Sequence, residues 1–132
     1  AKRLDAPLAI IDKRRPVANQ SVVMNFIGDV KDRDVVIFDD MIDTAGTICD
    51  AGKVCMEHGA KSVVACATHP VLSGPSLQRL MDAPFKEVVI SNTIPFNRFD
   101  ECPKIVTLDT TPLFAEAIDR IHNERTVSKL FL

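Results

Sequence analysis

The stretch Val35-Val36-Ile37-Phe38-Asp39-Asp40-Met41-Ile42-Asp43-Thr44-Ala45-Gly46-Thr47-Ile48 gathers three carboxylates and two hydroxyls just after an apolar run. Thr44 and Thr47 bring hydroxyl donors, and Ala45-Gly46 keeps the side chains small, so a ligand could approach the backbone closely. A helix opening near Gly46 would add its unpaired N–H groups and the positive end of its dipole, which favour a phosphate. Asp39 and Asp40 would repel that phosphate, so they call for another partner. Carboxylates accept from sugar hydroxyls and bind hard cations such as Mg²⁺. Taken together, these side chains suit a phosphorylated sugar with free hydroxyls. The plainer alternative is a strand followed by a helix capped by Asp43 or Thr44.

A second charged group stands upstream. Lys13-Arg14-Arg15 lies between Asp12 and Pro16. Transfer of a phosphoryl-type group needs its developing charge neutralised and little covalent chemistry. Lys supplies a point charge for that purpose, and Arg a fork that grips phosphate oxygens. A solvated basic loop is the ordinary alternative. His69 precedes Pro70 with no second ligand at metal spacing, which favours a structural hydrogen bond. Ser73-Gly74 reads as a helix cap.

The elements that carry these residues alternate. Apolar, β-prone runs predict strands at Leu8–Ile11, Val35–Phe38, Ser62–Ala67, Glu87–Ser91 and Lys104–Leu108. Helices are expected over Gly46–His58, Pro75–Met81 and Pro112–His122, with Gly59 ending the first and Pro75 and Pro112 in first turns. Alternation of this kind predicts an α/β fold with a parallel sheet and helices on both faces. Val35–Phe38 reads as a buried central strand, with Asp39 and Asp40 emerging at its carboxyl end, where open sheets bind ligands. The segment from Lys13 to about Val30 fits neither regular period. Ala1-Lys2-Arg3-Leu4 reads as the last turn of a helix.

Composition narrows the classes further. The chain has 132 residues, suited to one domain, and 16 basic against 18 acidic side chains. That balance favours neither nucleic acid nor a membrane surface as partner. No apolar run approaches the roughly 20 residues of a membrane span, and no signal peptide opens the sequence. Cys49, Cys55, Cys66 and Cys102 show no C-x-x-C pairing and read as buried, reduced thiols, which points to a cytoplasmic protein.

The run Val36–Thr47 resembles the phosphoribosyl-diphosphate motif of type I phosphoribosyltransferase folds. The form Asp-Asp-Met-Ile-Asp-Thr-Ala-Gly-Thr is similar to that of the ribose-phosphate pyrophosphokinase family. Ile11–Pro16, Ala67–Gly74, Ser91–Pro95, Arg120–Glu124 and Val127–Phe131 agree with it in the same order. The resemblance implies a Rossmann-like parallel sheet, with residues 1–132 as the C-terminal ribose-phosphate-binding domain of a two-domain synthase. An upstream domain and a first strand would then lie outside this sequence. The implied reaction moves a diphosphoryl group from ATP to the 1-hydroxyl of ribose 5-phosphate, with Mg²⁺ as cofactor. It implies Lys13 and Arg15 as catalytic residues. Ribose 5-phosphate would be held by Arg15, Asp39, Asp40, Asp43, Thr44, Ala45, Gly46 and Thr47. No dedicated metal ligands are assigned, and the family's homo-oligomers are commonly hexamers built from dimers. Two other readings share the motif: a phosphoribosyltransferase that consumes phosphoribosyl diphosphate, and a non-catalytic regulatory subunit of the synthase.

Overall fold

A computed structural model describes residues 5–14 and 23–131. Its element order is β1 (Ile10–Arg14), β2 (Val23–Ile27), β3 (Asp34–Ile42), α1 (Gly46–Glu57), β4 (Ser62–Pro70), α2 (Ser76–Asp82), β5 (Phe85–Ser91), β6 (Ile105–Leu108) and α3 (Thr111–His122). Two short 3-10 turns, Phe99–Glu101 and Ser128–Phe131, complete it.

Four strands form a parallel sheet in the order β3-β4-β5-β6. Register sets Val35 beside Val63, Ala65 beside Val88, and Val88 beside Ile105. Neighbours in register share a face of the pleat. The face built from Val63, Ala65, Val88 and Ile90 is buried, each at 1% exposure or less. It packs with Ile48 and Cys55 of α1 and Leu77 and Leu80 of α2. Gly59 stands just past α1 at φ +85°, and its N–H donates to the Met56 carbonyl at 2.9 Å. A residue with no Cβ takes that left-handed turn without strain, so the helix ends there.

The opposite face differs from expectation. Val36, Phe38, Val106 and Leu108 are 49, 68, 42 and 59% exposed, so among the described residues helices cover one face only. Helix α3 buries none of its residues, and its Leu113, Phe114, Ile118 and Ile121 face solvent. Strand β3 is an edge strand of the described sheet, not a central one.

Its bounds also differ. β3 continues four residues past Phe38 because β4 continues beside it, pairing Asp39 with Ala67, Met41 with His69 and Ile42 with Pro70. Ladder partners override the poor strand preference of Asp. The unassigned stretch holds β2, which pairs antiparallel with β1, Ile10 opposite Ile27 and Lys13 opposite Met24. A cavity of about 730 Å³ separates this hairpin from β3, lined by Leu8, Ala9, Ile11 and Phe26 on one side and Val35, Ile37 and Asp39 on the other. The reading of Ala1–Leu4 lies outside the described residues. No helix among the described residues is long and apolar enough to cross a membrane.

Cys49, Cys55 and Cys102 are buried, Cys66 is half-buried, and all four are free thiols. Burial raises the pKa of each. Phe85 is core at 4% exposure. Phe96 and Phe99 meet edge to face with centroids 4.8 Å apart.

Candidate functional site

The carboxyl end of β3 turns into α1 through Asp43, Thr44 and Ala45. Ala45 sits at φ 62°, ψ 4°, in the left-handed region, and serves as N-cap of α1 without a side-chain cap bond. The simple capping reading of Asp43 and Thr44 is thereby excluded, since neither caps the helix with its side chain. Residues Asp39–Ile48 line a hollow of about 340 Å³ at this junction. It contains Asp39, Asp40, Asp43, Thr44, Ala45, Gly46 and Thr47 together.

Asp39 and Asp40 stand in β3 rather than beyond it, and adjacent strand residues project to opposite sides. Both still border the hollow, because the strand ends two residues later. The Asp40 N–H donates to Asp39 Oδ1 at 2.9 Å. Burial raises the pKa of Asp39; this backbone bond works against the rise, and the Asp40 carboxylate adds to it. The Asp43 carboxylate accepts from the Ser73 hydroxyl, and the Asp43 carbonyl accepts from the Ser73 N–H at 3.1 Å. Ser73 is therefore a loop anchor, while Pro75 occupies the N-cap of α2. Sequence reasoning missed this bond because it joins residues 30 positions apart.

Arg79 is a second residue missed at the sequence level. From α2 its Nη1 donates to the Thr44 carbonyl at 2.9 Å. Farther along the same edge of the sheet, His69 Nδ1 lies 3.0 Å from Thr93 Oγ1. Thr93 and Ser91 in turn donate to the Thr68 carbonyl at 2.9 and 2.5 Å. The Ser91 hydroxyl also lies 3.0 Å from Thr93 Oγ1, so the ring nitrogen is tied into a hydroxyl network anchored on that carbonyl. The structural role expected for His69 is what its contacts provide.

Lys13 lies in β1, opposite Met24. Arg15 falls outside the described residues. Among the described residues no group of three His, Cys, Asp or Glu side chains is placed to hold a metal ion. Carboxylate oxygens are nonetheless the right donor type for Mg²⁺, which binds through one or two carboxylates when phosphates complete its shell.

A parallel sheet whose strand runs through paired carboxylates into a tight turn and a helix N-terminus is the type I phosphoribosyltransferase fold. Over residues 6–132 the chain matches the family model described as the phosphoribosyl synthetase-associated domain. It is 56% identical over 131 residues to the ribose-phosphate pyrophosphokinase of Caldanaerobacter subterraneus, covering 99% of this chain and 42% of that protein. It is 48% identical over 132 residues to the protein of the same name from Campylobacter jejuni, covering 100% of this chain and 42% of that one. A crystal structure of phosphoribosylpyrophosphate synthetase from Mycobacterium smegmatis superposes with a TM-score of 0.83 at 38% identity, covering 93% of this chain and 39% of that one. The chain belongs to the phosphoribosyl synthetase-associated domain family. It spans about two fifths of the length of these relatives.

Proposed function

We propose that this chain is the C-terminal, ribose-phosphate-binding domain of a ribose-phosphate pyrophosphokinase. The observation that carries the reading is the hollow at the β3–α1 junction, which sets a left-handed turn and a helix N-terminus below two carboxylates. Among the described residues, the uncovered apolar sheet face and the edge position of β3 support a role as one part of a longer protein. The names and lengths of the relatives support the same reading.

In this reading the N–H groups of Asp43–Thr47 and the hydroxyls of Thr44 and Thr47 hold the 5-phosphate. Asp39 and Asp40 accept from the 2- and 3-hydroxyls of the ribose. Once bound, the sugar presents its 1-hydroxyl to the β-phosphorus of ATP. The new O–P bond forms as the bond to the AMP oxygen breaks, giving 5-phosphoribosyl 1-diphosphate and AMP. Lys13 and Arg15 neutralise charge on the phosphates in flight, the dominant need in such transfers. The carboxylates of Asp39 and Asp40 would hold Mg²⁺, which would supply positive charge to neutralise the phosphates.

The test is AMP release by the full-length protein given ATP, ribose 5-phosphate and Mg²⁺. Production of AMP in step with phosphoribosyl diphosphate is expected. Diphosphate release from phosphoribosyl diphosphate and a base, without AMP formation, would assign the chain to the transferases instead.

A further inference from the structure

Arg79 and Ala45 belong to different elements and meet at one peptide bond. The Arg79 guanidinium donates through Nη1 to the Thr44 carbonyl at 2.9 Å. The Thr44–Ala45 peptide is trans, so its carbonyl and its N–H point in opposite directions. With the carbonyl drawn toward α2, the Ala45 N–H is directed the other way, and Thr44 and Ala45 both line the hollow.

That orientation is not the one this backbone would choose alone. Ala45 holds φ 62°, a conformation that a Cβ disfavours. Rotating the 44–45 peptide by half a turn would carry φ to about −120° with ψ still at 4°, a bridge conformation free of the left-handed clash. The flipped peptide would aim the Thr44 carbonyl into the hollow, where its partial negative charge repels an anion. Two states are therefore available to this loop. One carries the left-handed strain at Ala45 and presents a donor; the other is free of that strain and presents an acceptor.

We propose that Arg79 is a positioning residue that holds the Thr44–Ala45 peptide with its N–H toward the 5-phosphate. A charge-assisted bond to the carbonyl stabilises the strained state and is lost on flipping. The Arg79 backbone is itself anchored, since its carbonyl accepts from the Ala83 N–H at 3.0 Å and lies 3.5 Å from the Cys49 thiol. The guanidinium also passes beneath Gly46, where a Cβ would lie 3.6 Å from Nη1. Its charge thus sits behind the loop, on the side away from the anion. This assignment rests on the phosphate reading of the hollow given above.

Calorimetric titration of the full-length protein with ribose 5-phosphate tests it, using wild type, Arg79→Ala and the double variant Arg79→Ala/Ala45→Gly. Arg79→Ala is expected to weaken binding about tenfold, the scale of one charge-assisted hydrogen bond. Glycine takes the left-handed conformation at no steric cost, so Ala45→Gly is expected to recover about threefold of that loss or more. A residue that merely fastened α2 to the sheet would give no such recovery. Binding by Arg79→Ala within about twofold of wild type overturns the proposal, as does a loss that Ala45→Gly leaves unchanged. Absence of binding by wild type overturns the phosphate reading and this inference with it, which separates the two failures.

Discussion

The Ser73 hydroxyl donates to the Asp43 carboxylate, and the Ser73 N–H donates to the Asp43 carbonyl at 3.1 Å. A turn before α2 thereby holds both polar ends of the residue that leads from β3 toward α1. An unheld carboxylate at a helix N-terminus would swing onto the N–H groups of its first turn and compete with an incoming anion. Ser73→Ala is expected to raise KM for ribose 5-phosphate about threefold to tenfold in the full-length protein, the scale of one hydrogen bond. Ser73→Thr keeps the hydroxyl and is expected to keep KM. Steady-state kinetics at saturating ATP checks both, and equal KM values for Ser73→Ala and wild type would remove the anchoring role.

The β3–α1 segment was legible because everything it needs is contiguous: an apolar run, a small-residue turn, then helix formers. What joins distant positions was not. Ser73 meets Asp43 across 30 positions and Arg79 meets Thr44 across 35, and neither pairing leaves a local pattern. The length of β3 escaped for a related reason. Asp39 and Asp40 are poor strand residues, and only the ladder to Ala67–Pro70 extends the strand through them. β2 was missed because the charged and polar residues before it carry no alternation, while its partner β1 supplies the register. The position of β3 in the sheet was misread because a continuous apolar run looks alike on a covered strand and on one with an open face.

Lys13 lies in β1 across from Met24, on the hairpin beyond the open edge of β3. A cation that acts on charge developing between two phosphates affects the transition state more than the bound sugar phosphate. Lys13→Ala in the full-length protein is therefore expected to lower kcat by about 100-fold or more while KM for ribose 5-phosphate stays within about threefold. A turnover number near wild type would exclude Lys13 from catalysis.

Gly52 sits on the face of α1 that meets β5. A Cβ at this position would come within 2.5 Å of Phe85 Cε1 and 2.9 Å of Cζ, and Phe85 is buried. Alanine gains about 1 kcal/mol of helix propensity over glycine. Overpacking against a held ring costs about 1–3 kcal/mol, which equals or exceeds that gain. Gly52→Ala is expected to lower stability by up to about 2 kcal/mol, read as a Tm lower by up to roughly 8 °C. Phe85→Leu vacates the space, so the double variant is expected to lose less than the sum of the singles. Additive losses in calorimetry would show that the two residues do not collide.

Asp39 and Asp34, five residues apart on β3, are expected to respond to pH in opposite senses. Burial, with the Asp40 carboxylate adding to it, holds the Asp39 pKa above its ordinary 3.8. The folded protein then binds the Asp39 proton more tightly than the unfolded chain. The associated stability is fully present below 3.8 and is lost as pH rises through the raised folded value. Asp34 is the reverse. The Ser62 hydroxyl donates to it at 2.6 Å and the Lys61 ammonium lies 3.8 Å away, which lowers its pKa. Its contribution is present above 3.8 and is lost as pH falls through the lowered value. Asparagine carries no charge at either site. Asp39→Asn is therefore expected to gain Tm relative to wild type between about pH 3 and pH 7, and Asp34→Asn to lose it. Thermal melts across that range check the signs. Parallel Tm curves for Asp39→Asn and wild type would mean that the Asp39 carboxylate is as well solvated folded as unfolded.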